Sequence, residues 1–227
     1  MTVLSACQEA AIELSQTEPT TLFSTTDPFA KELRVQANKS VVAIAKVYDW
    51  QVITRRATIT GDGSDTSFPL PDDYDRMVLK TNLASSASNI DLVKATDLDQ
   101  WDYFQNHLST TVPGYWMILG GEVQISPAPA TGVVHSYYYI SKNVVAGDKP
   151  LFTADDDTFL LPERLLTLSI IWRWRASKRM EYAEDMRNFE IALGEETATD
   201  KGSRLLVVGR RRTPFDLRDA YPRALGS

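Results

Sequence analysis

Any catalytic chemistry in this sequence would have to come from two histidines, one cysteine or some pair among thirty acidic residues. His107 and His135 fall in different elements, with no CxxC, HExxH or similar spacing nearby, so neither a metal centre nor a cofactor is expected. Both read as ordinary, partly exposed residues. No serine sits in a G-x-S-x-G elbow, and nothing beside either histidine suggests an activated nucleophile. The run Gly61-Asp62-Gly63-Ser64-Asp65 has the glycines of a phosphate loop and the acids of a calcium loop. No Lys-Ser or Lys-Thr follows it and no glutamate closes a twelve-residue loop, so a β-turn is the better reading. Asp155, Asp156 and Asp157 could hold a divalent cation, but acids just ahead of a helix also favour its positive N-terminal end, and capping is the stronger reading. Counting cannot choose a hydrolytic pair of carboxylates, and nothing marks two of them out.

The clustered cations point toward binding. Arg173, Arg175, Lys178 and Arg179 lie beside Trp172 and Trp174, a combination that could stack and neutralise single-stranded nucleic acid. On one helix, however, alternating tryptophans and arginines put rings and charges on different sides, as in a helix that buries its rings in a core or against another subunit. From Ser203 to Ser227 six arginines (Arg204, Arg210, Arg211, Arg212, Arg218, Arg223) face only Asp216 and Asp219, a net charge of +4. The whole chain is at -6, so the remainder carries -10. An acidic body with a basic tail fits an acidic protein groove better than bare DNA, which the body would repel. Phe215, Leu217 and Tyr221 interleave with the charge, as anchors on an arm would.

The elements that must position these groups follow from periodicity. Val3, Leu4, Cys7, Ala11 and Leu14 predict a helix over 3–16. Asp27 caps a second helix with Pro28 at its first position and Phe29, Leu33, Ala37, Val41, Ile44 and Tyr48 along one stripe, ending near Asp49-Trp50. From Gln51 to about Pro150 short β-branched and aromatic runs alternate with Gly, Pro, Asn and Asp. Strands are expected at Val52–Thr60, Thr66–Leu70, Met77–Thr81, Ile90–Val93, Tyr115–Leu119, Glu122–Ser126 and Val133–Ile140, with a Gly120-Gly121 hairpin turn. A short helix, Asp97–Leu108, turns Leu98, Trp101, Phe104 and Leu108 inward.

The last helical stretch is the most telling. Leu161, Leu165, Leu168 and Trp172 fill one face while Leu166, Ile170, Ile171 and Trp174 fill most of the rest, so this helix must be covered on nearly all sides. Tyr182, Met186, Phe189 and Leu193 then form one stripe on an acidic helix, giving a hairpin. Helices at both ends with strands between predict an α+β fold. It comprises a helical stem from both chain ends (1–50 and 151–200), an inserted antiparallel β module (51–150) and an extended basic C-terminal arm (201–227). The single Cys7 excludes an intramolecular disulfide and fits a reducing cytoplasm. Leu4-Ser5-Ala6-Cys7 lacks the basic start and apolar run of a lipoprotein signal, and no run approaches the ~20 apolar residues of a membrane span. A soluble protein without membrane attachment is expected.

Four segments resemble a known family: FTADDDTFLLPERLLTLSIIWRWRASKRMEYAEDMRNFE from Phe152, AKVYDWQVITRRATI from Ala45, LPDDYDRM from Leu70, and ISPAPATG from Ile125 followed by YYYISK from Tyr137. They are similar to head-to-tail adaptor (connector) proteins of tailed bacteriophages and prophages, related to tail tubular protein A, over about residues 27–202. The shared pattern lies on packing positions and identifies no reactive group. The resemblance implies a structural virion protein of the neck, made in the host bacterial cytoplasm. It implies a homo-oligomeric ring of twelve subunits beneath the portal protein, which extends the channel for genomic DNA without reading its sequence and presents a surface to tail or neck proteins. Leu161, Leu165, Leu168, Trp172 and Trp174 would then lie in the ring-forming stem, and Arg204, Arg210, Arg211, Arg212, Phe215, Leu217 and Tyr221 would grip the portal. This chain has Met180 where the family often has Gly between the last two helices, which leaves a continuous or kinked helix open. A virion-associated peptidoglycan hydrolase and a DNA-binding regulator are the readings from other classes, and no motif supports either.

Overall fold

The computed structural model describes residues 2–79, 81–88, 90–107 and 114–200. The described chain divides into two compact units, one made of residues 2–54 with 140–200 and the other of 55–139. The fold class is α+β.

The first unit is helical. Helix α1 (Val3–Glu13) starts where the Thr2 hydroxyl accepts the Ser5 N–H, and the carbonyls of Asp157 and Asp155 take the otherwise orphaned N–H groups of Val3 (2.8 Å) and Leu4 (3.4 Å). Helix α2 (Pro28–Val47) starts as the sequence predicts. Asp27 accepts from the Phe29 and Ala30 N–H groups at 3.2 and 3.3 Å, and Pro28 occupies the first turn. Its inner stripe of Leu33, Ala37, Val41 and Ile44 is fully buried. Past its end the Trp50 indole N–H donates to the Ile44 carbonyl at 3.0 Å.

Helices α4 (Glu163–Ser177) and α5 (Ala183–Asp200) are separate and pack on each other, so the missing glycine does not yield one continuous helix. Arg179 itself takes the left-handed conformation (φ 58°), with its N–H on the Ala176 carbonyl (3.1 Å) and the Met180 N–H on that of Arg175 (3.0 Å). These two bonds are the Schellman pattern that glycine usually closes. Helix α1 ends identically at Ser15 (φ 55°), whose N–H reaches the Ile12 carbonyl while that of Gln16 reaches Ala11, both at 3.0 Å.

The aspartate run does not cap α4, whose N-terminus follows Pro162 and has no side-chain cap. Asp155 instead accepts from the Thr21 hydroxyl (2.5 Å) and the Leu22 and Phe23 N–H groups. Asp157 accepts from the Thr153 and Ala154 N–H groups (2.6 and 2.9 Å) and from the Lys149 ammonium (2.6 Å). The run therefore pins loops and lends backbone carbonyls to α1.

The second unit carries two four-stranded sheets. One runs β1 (Thr54–Thr60), β8 (Val134–Ser141), β3 (Tyr74–Met77), with β4 (Ala84–Ser85) also on β8; the other runs β2 (Ser67–Pro69), β7 (Glu122–Ser126), β6 (Tyr115–Leu119), β5 (Val93–Lys94). Pairs β2·β7, β6·β7 and β4·β8 are antiparallel, but β5 joins β6 in parallel, so the module is not wholly antiparallel. The β6–β7 turn has Gly120 and Gly121 at φ 64° and 84°, both left-handed as a two-residue hairpin of this kind requires. The expected strand Met77–Thr81 forms earlier, at Tyr74–Met77, where Tyr74 and Met77 face the core; Leu79 is 78% exposed. That core gathers Trp116, Val123, Ile125, Leu83, Leu92 and Tyr137. Helix α3 (Leu98–His107) buries Trp101 beside Ala95 and Met117 and stacks Phe104 on Tyr115, with ring centroids 3.7 Å apart. Leu98, expected inside, is exposed, and Leu108 lies outside the described residues.

Candidate functional site

Helix α4 is the hub of the helical unit, since α1, α2 and α5 all pack against it. Two residues apart on a helix means about 200° around it. Trp174 accordingly faces α2, where it meets the Phe29 ring edge-on at 5.7 Å and donates its N–H to Glu32 at 3.0 Å. Trp172 faces α5, tilted against Tyr182 (6.4 Å) and Phe189 (6.3 Å). The other contacts obey the same geometry. Ser169 donates to Ser40 of α2 at 2.9 Å, while Arg164 and Arg175 pair with Glu195 and Asp185 of α5 at 2.9 and 2.6 Å. Helix α4 thus lies between α2 and α5, which do not pack along each other.

This arrangement sorts the predicted stem residues. Leu165 is fully buried and Leu161 and Trp174 nearly so, and Leu165 and Trp174 are used in packing within the chain. Leu168 and Trp172 are half-buried. The covering that the sequence demands for this helix is supplied by its own chain. Of the predicted arm, Arg204, Arg210, Arg211, Arg212, Phe215, Leu217 and Tyr221 lie outside the described residues.

The basic cluster is also largely engaged. Arg173 lies over the Trp172 ring at 4.5 Å and donates to Ser169, Arg175 is paired with Asp185, and Lys178 binds Glu32 at 2.7 Å while covering the Trp174 ring. The Lys178 bond and, after the opposing effect of burial, the Trp174 N–H hold the Glu32 carboxyl below its usual range. These cations serve α4's own packing, and neither tryptophan offers an open face for a base.

The groups that could do chemistry are similarly occupied. Cys7 is fully buried in α1, and burial, reinforced by Asp155, pushes its thiol up to about 12, which keeps it unreactive. His135 is buried in β8, contrary to the partial exposure expected, and burial lowers its pKa so that it stays neutral. For Asp157, burial raises the pKa, but Lys149 and the two N–H groups outweigh it and hold the carboxyl at about 2. Asp62 is held at about 2 by the N–H groups of Asp65 and Ser64, closing the Gly61–Asp65 loop on itself. Among the described residues no group of three or more His, Cys, Asp or Glu is placed to hold a metal ion.

What remains open is surface. A groove of about 330 Å³ lies against Trp50, Val52, Leu160, Leu161 and Asp200, at the end of α5. Helix α2 turns Val35, Val42 and three lysines outward, and α5 exposes Met186 and Ile191 beside acids. The sequence reading followed the inner stripe of α2 and missed the outer one, although valines seven residues apart on the face opposite Leu33 and Val41 were a usable signal.

No curated protein matches the chain. The family described as SU10 adaptor protein matches residues 1–217, wider than the span read from the four segments. A match over nearly the whole length means that the chain belongs to the SU10 adaptor protein family of phage head-to-tail adaptors.

Proposed function

We propose that this adaptor forms a ring beneath the portal, continues the DNA channel and presents the surface on which the tail or neck is built. The observation that carries this reading is the family match across residues 1–217. Residues 1–50 and 151–200 act as the stem, 51–150 as an inserted module, and 201–227 as an arm that grips the portal. Leu161, Leu165 and Trp174 contribute by stiffening α4 from within, and the half-buried Leu168 and Trp172 support α5 from below. The engagement of Arg173, Arg175 and Lys178 in local pairs supports passage of DNA without sequence-specific contact. No helix among the described residues is long and apolar enough to cross a membrane.

Sedimentation with and without purified portal tests the reading. Free protein is expected to run as a monomer and to co-sediment with portal as a ring; a stable dimer indifferent to portal contradicts it. Deleting 203–227 should leave a folded protein that no longer binds portal. Replacing Arg210, Arg211 and Arg212 by alanine should slow association more than it speeds release, and Phe215→Ala should do the reverse, because charge governs encounter and buried anchors govern residence. Undiminished affinity of the truncated protein would move the portal contact to the helical unit.

A further inference from the structure

Two helix faces of the helical unit have no partner among the described residues. On α2, Lys31, Val35, Lys39, Val42 and Lys46 recur at spacings of three and four and so form one outward stripe, with Val35 45% and Val42 39% exposed. None of the three lysines has an ion-pair partner among the described residues, and the stripe contains no acid. On α5, Ile191 (51% exposed) shares its outward face with exposed Glu184, Arg187, Asn188 and Glu195, and exposed Glu190 stands at the edge of that face. That face and its edge carry Glu184, Glu190 and Glu195 against the single Arg187; Glu195 also pairs with Arg164 of α4, whereas Glu184 and Glu190 have no partner among the described residues.

These faces carry opposite charge and lie on opposite sides of α4, one behind the Trp174 side and the other behind the Trp172 side. One copy cannot bring them together, whereas a second copy can. We propose that the α2 stripe of one subunit docks on the outer face of α5 of the next. This assignment rests on the ring reading and deepens it. The contact is heterologous, with a different patch on each partner, which is the kind that generates closed rings. Its centre is apolar (Val35 and Val42 against Ile191) and its rim is charged, lysines against Glu184 and Glu190. Two α2 stripes repel each other, as do two α5 faces, so the charges disfavour a closed dimer and select head-to-tail addition. Each patch is no longer than a helix of about 30 Å, so one contact is weak. Copies held side by side on a portal gain from high effective concentration, so the contact fits the expectation that the free protein is a monomer and rings only on portal.

The test uses full-length protein and counts copies per portal by native mass measurement. One variant carries Lys39→Glu with Lys46→Glu, and another Glu184→Lys with Glu190→Lys. All four positions are exposed, and unchanged melting of each variant confirms its fold. Each alone is expected to need at least tenfold more protein to complete a ring, and the milder Lys39→Gln with Lys46→Gln should fall between it and the wild type. An equimolar mixture of the two reversed variants should restore ring formation, because alternating copies then match at every interface. Normal rings from either reversed variant alone, or no rescue on mixing, overturn the assignment. If the wild-type protein builds no ring on portal, the ring reading itself fails, and this assignment with it.

Discussion

Replacing Trp174 by alanine should destabilise the helical unit more than replacing Trp172, even though the two residues look equivalent in sequence. Truncating a buried Trp costs ~3–5 kcal/mol, and the Trp174 ring is only 8% exposed. Its N–H bond to Glu32 adds ~0.5–1 kcal/mol at most, since Glu32 keeps Lys178. The total is about 3.5–6 kcal/mol. Trp172 is less deeply buried and its indole N–H has no hydrogen-bond partner among the described residues, so its truncation forfeits a smaller burial term, about 2–4 kcal/mol. It also loses ~0.5–1 kcal/mol of cation–π attraction from Arg173, and the sum comes to about 2.5–5 kcal/mol. Against a margin of ~5–15 kcal/mol, the first variant comes closer to global unfolding than the second. At roughly 2–4 °C per kcal/mol, midpoints should fall by about 7–24 °C for Trp174→Ala and about 5–20 °C for Trp172→Ala, with Trp174→Ala the lower of the two. Urea titration followed by circular dichroism at the helix minimum isolates the helical unit's transition. A Trp172→Ala variant as unstable as Trp174→Ala, or more so, would show that the α2 side of α4 is not the better-packed one.

Arg179→Gly should stabilise the protein by about 0.5–1 kcal/mol, because glycine takes the left-handed position without a Cβ penalty; a lowered urea midpoint would contradict the α4 ending described above. Asp157 has its folded pKa near 2 against ~3.9 unfolded, so its contribution is full above about pH 4 and is lost as pH falls toward 2. The stability gap between wild type and Asp157→Asn should therefore narrow over that window, and a constant gap would show that the carboxylate charge is not what holds the loop. Gly61→Ala should cost ~1–3 kcal/mol by overpacking, since the new Cβ would lie 2.5 Å from the carbonyl oxygens of both Pro129 and Ala130; an unchanged melt of the β unit would mean that this loop relaxes freely.

What was legible in the sequence was mostly local. Asp27-Pro28 fixes the start of α2 through atoms two and three residues away, and Gly120-Gly121 fixes a turn through its own dihedrals. The stripe of α4 announces that it must be covered. What was missed depends on distant partners or on residues outside their usual roles. The Asp155 carboxylate serves N–H groups more than 130 residues earlier, a pairing that no spacing rule reveals. Ser15 and Arg179 end helices in a conformation usually signalled by glycine. Strand β4, Ala84–Ser85, has no β-branched residue and exists because β8 offers it an edge. The candidate site was half legible: α4's apolar content was read correctly, but its burial by α1, α2 and α5 leaves the open surface on other residues.

The central claim is that this adaptor closes into a ring on the portal. Electron cryo-microscopy of purified portal incubated with the full-length chain tests it most directly. The account predicts a continuous ring of this chain coaxial with the portal, its central hole prolonging the channel and each copy touching the next along α2 and α5. Bare portal, or isolated copies that never close even at saturating protein, would contradict it.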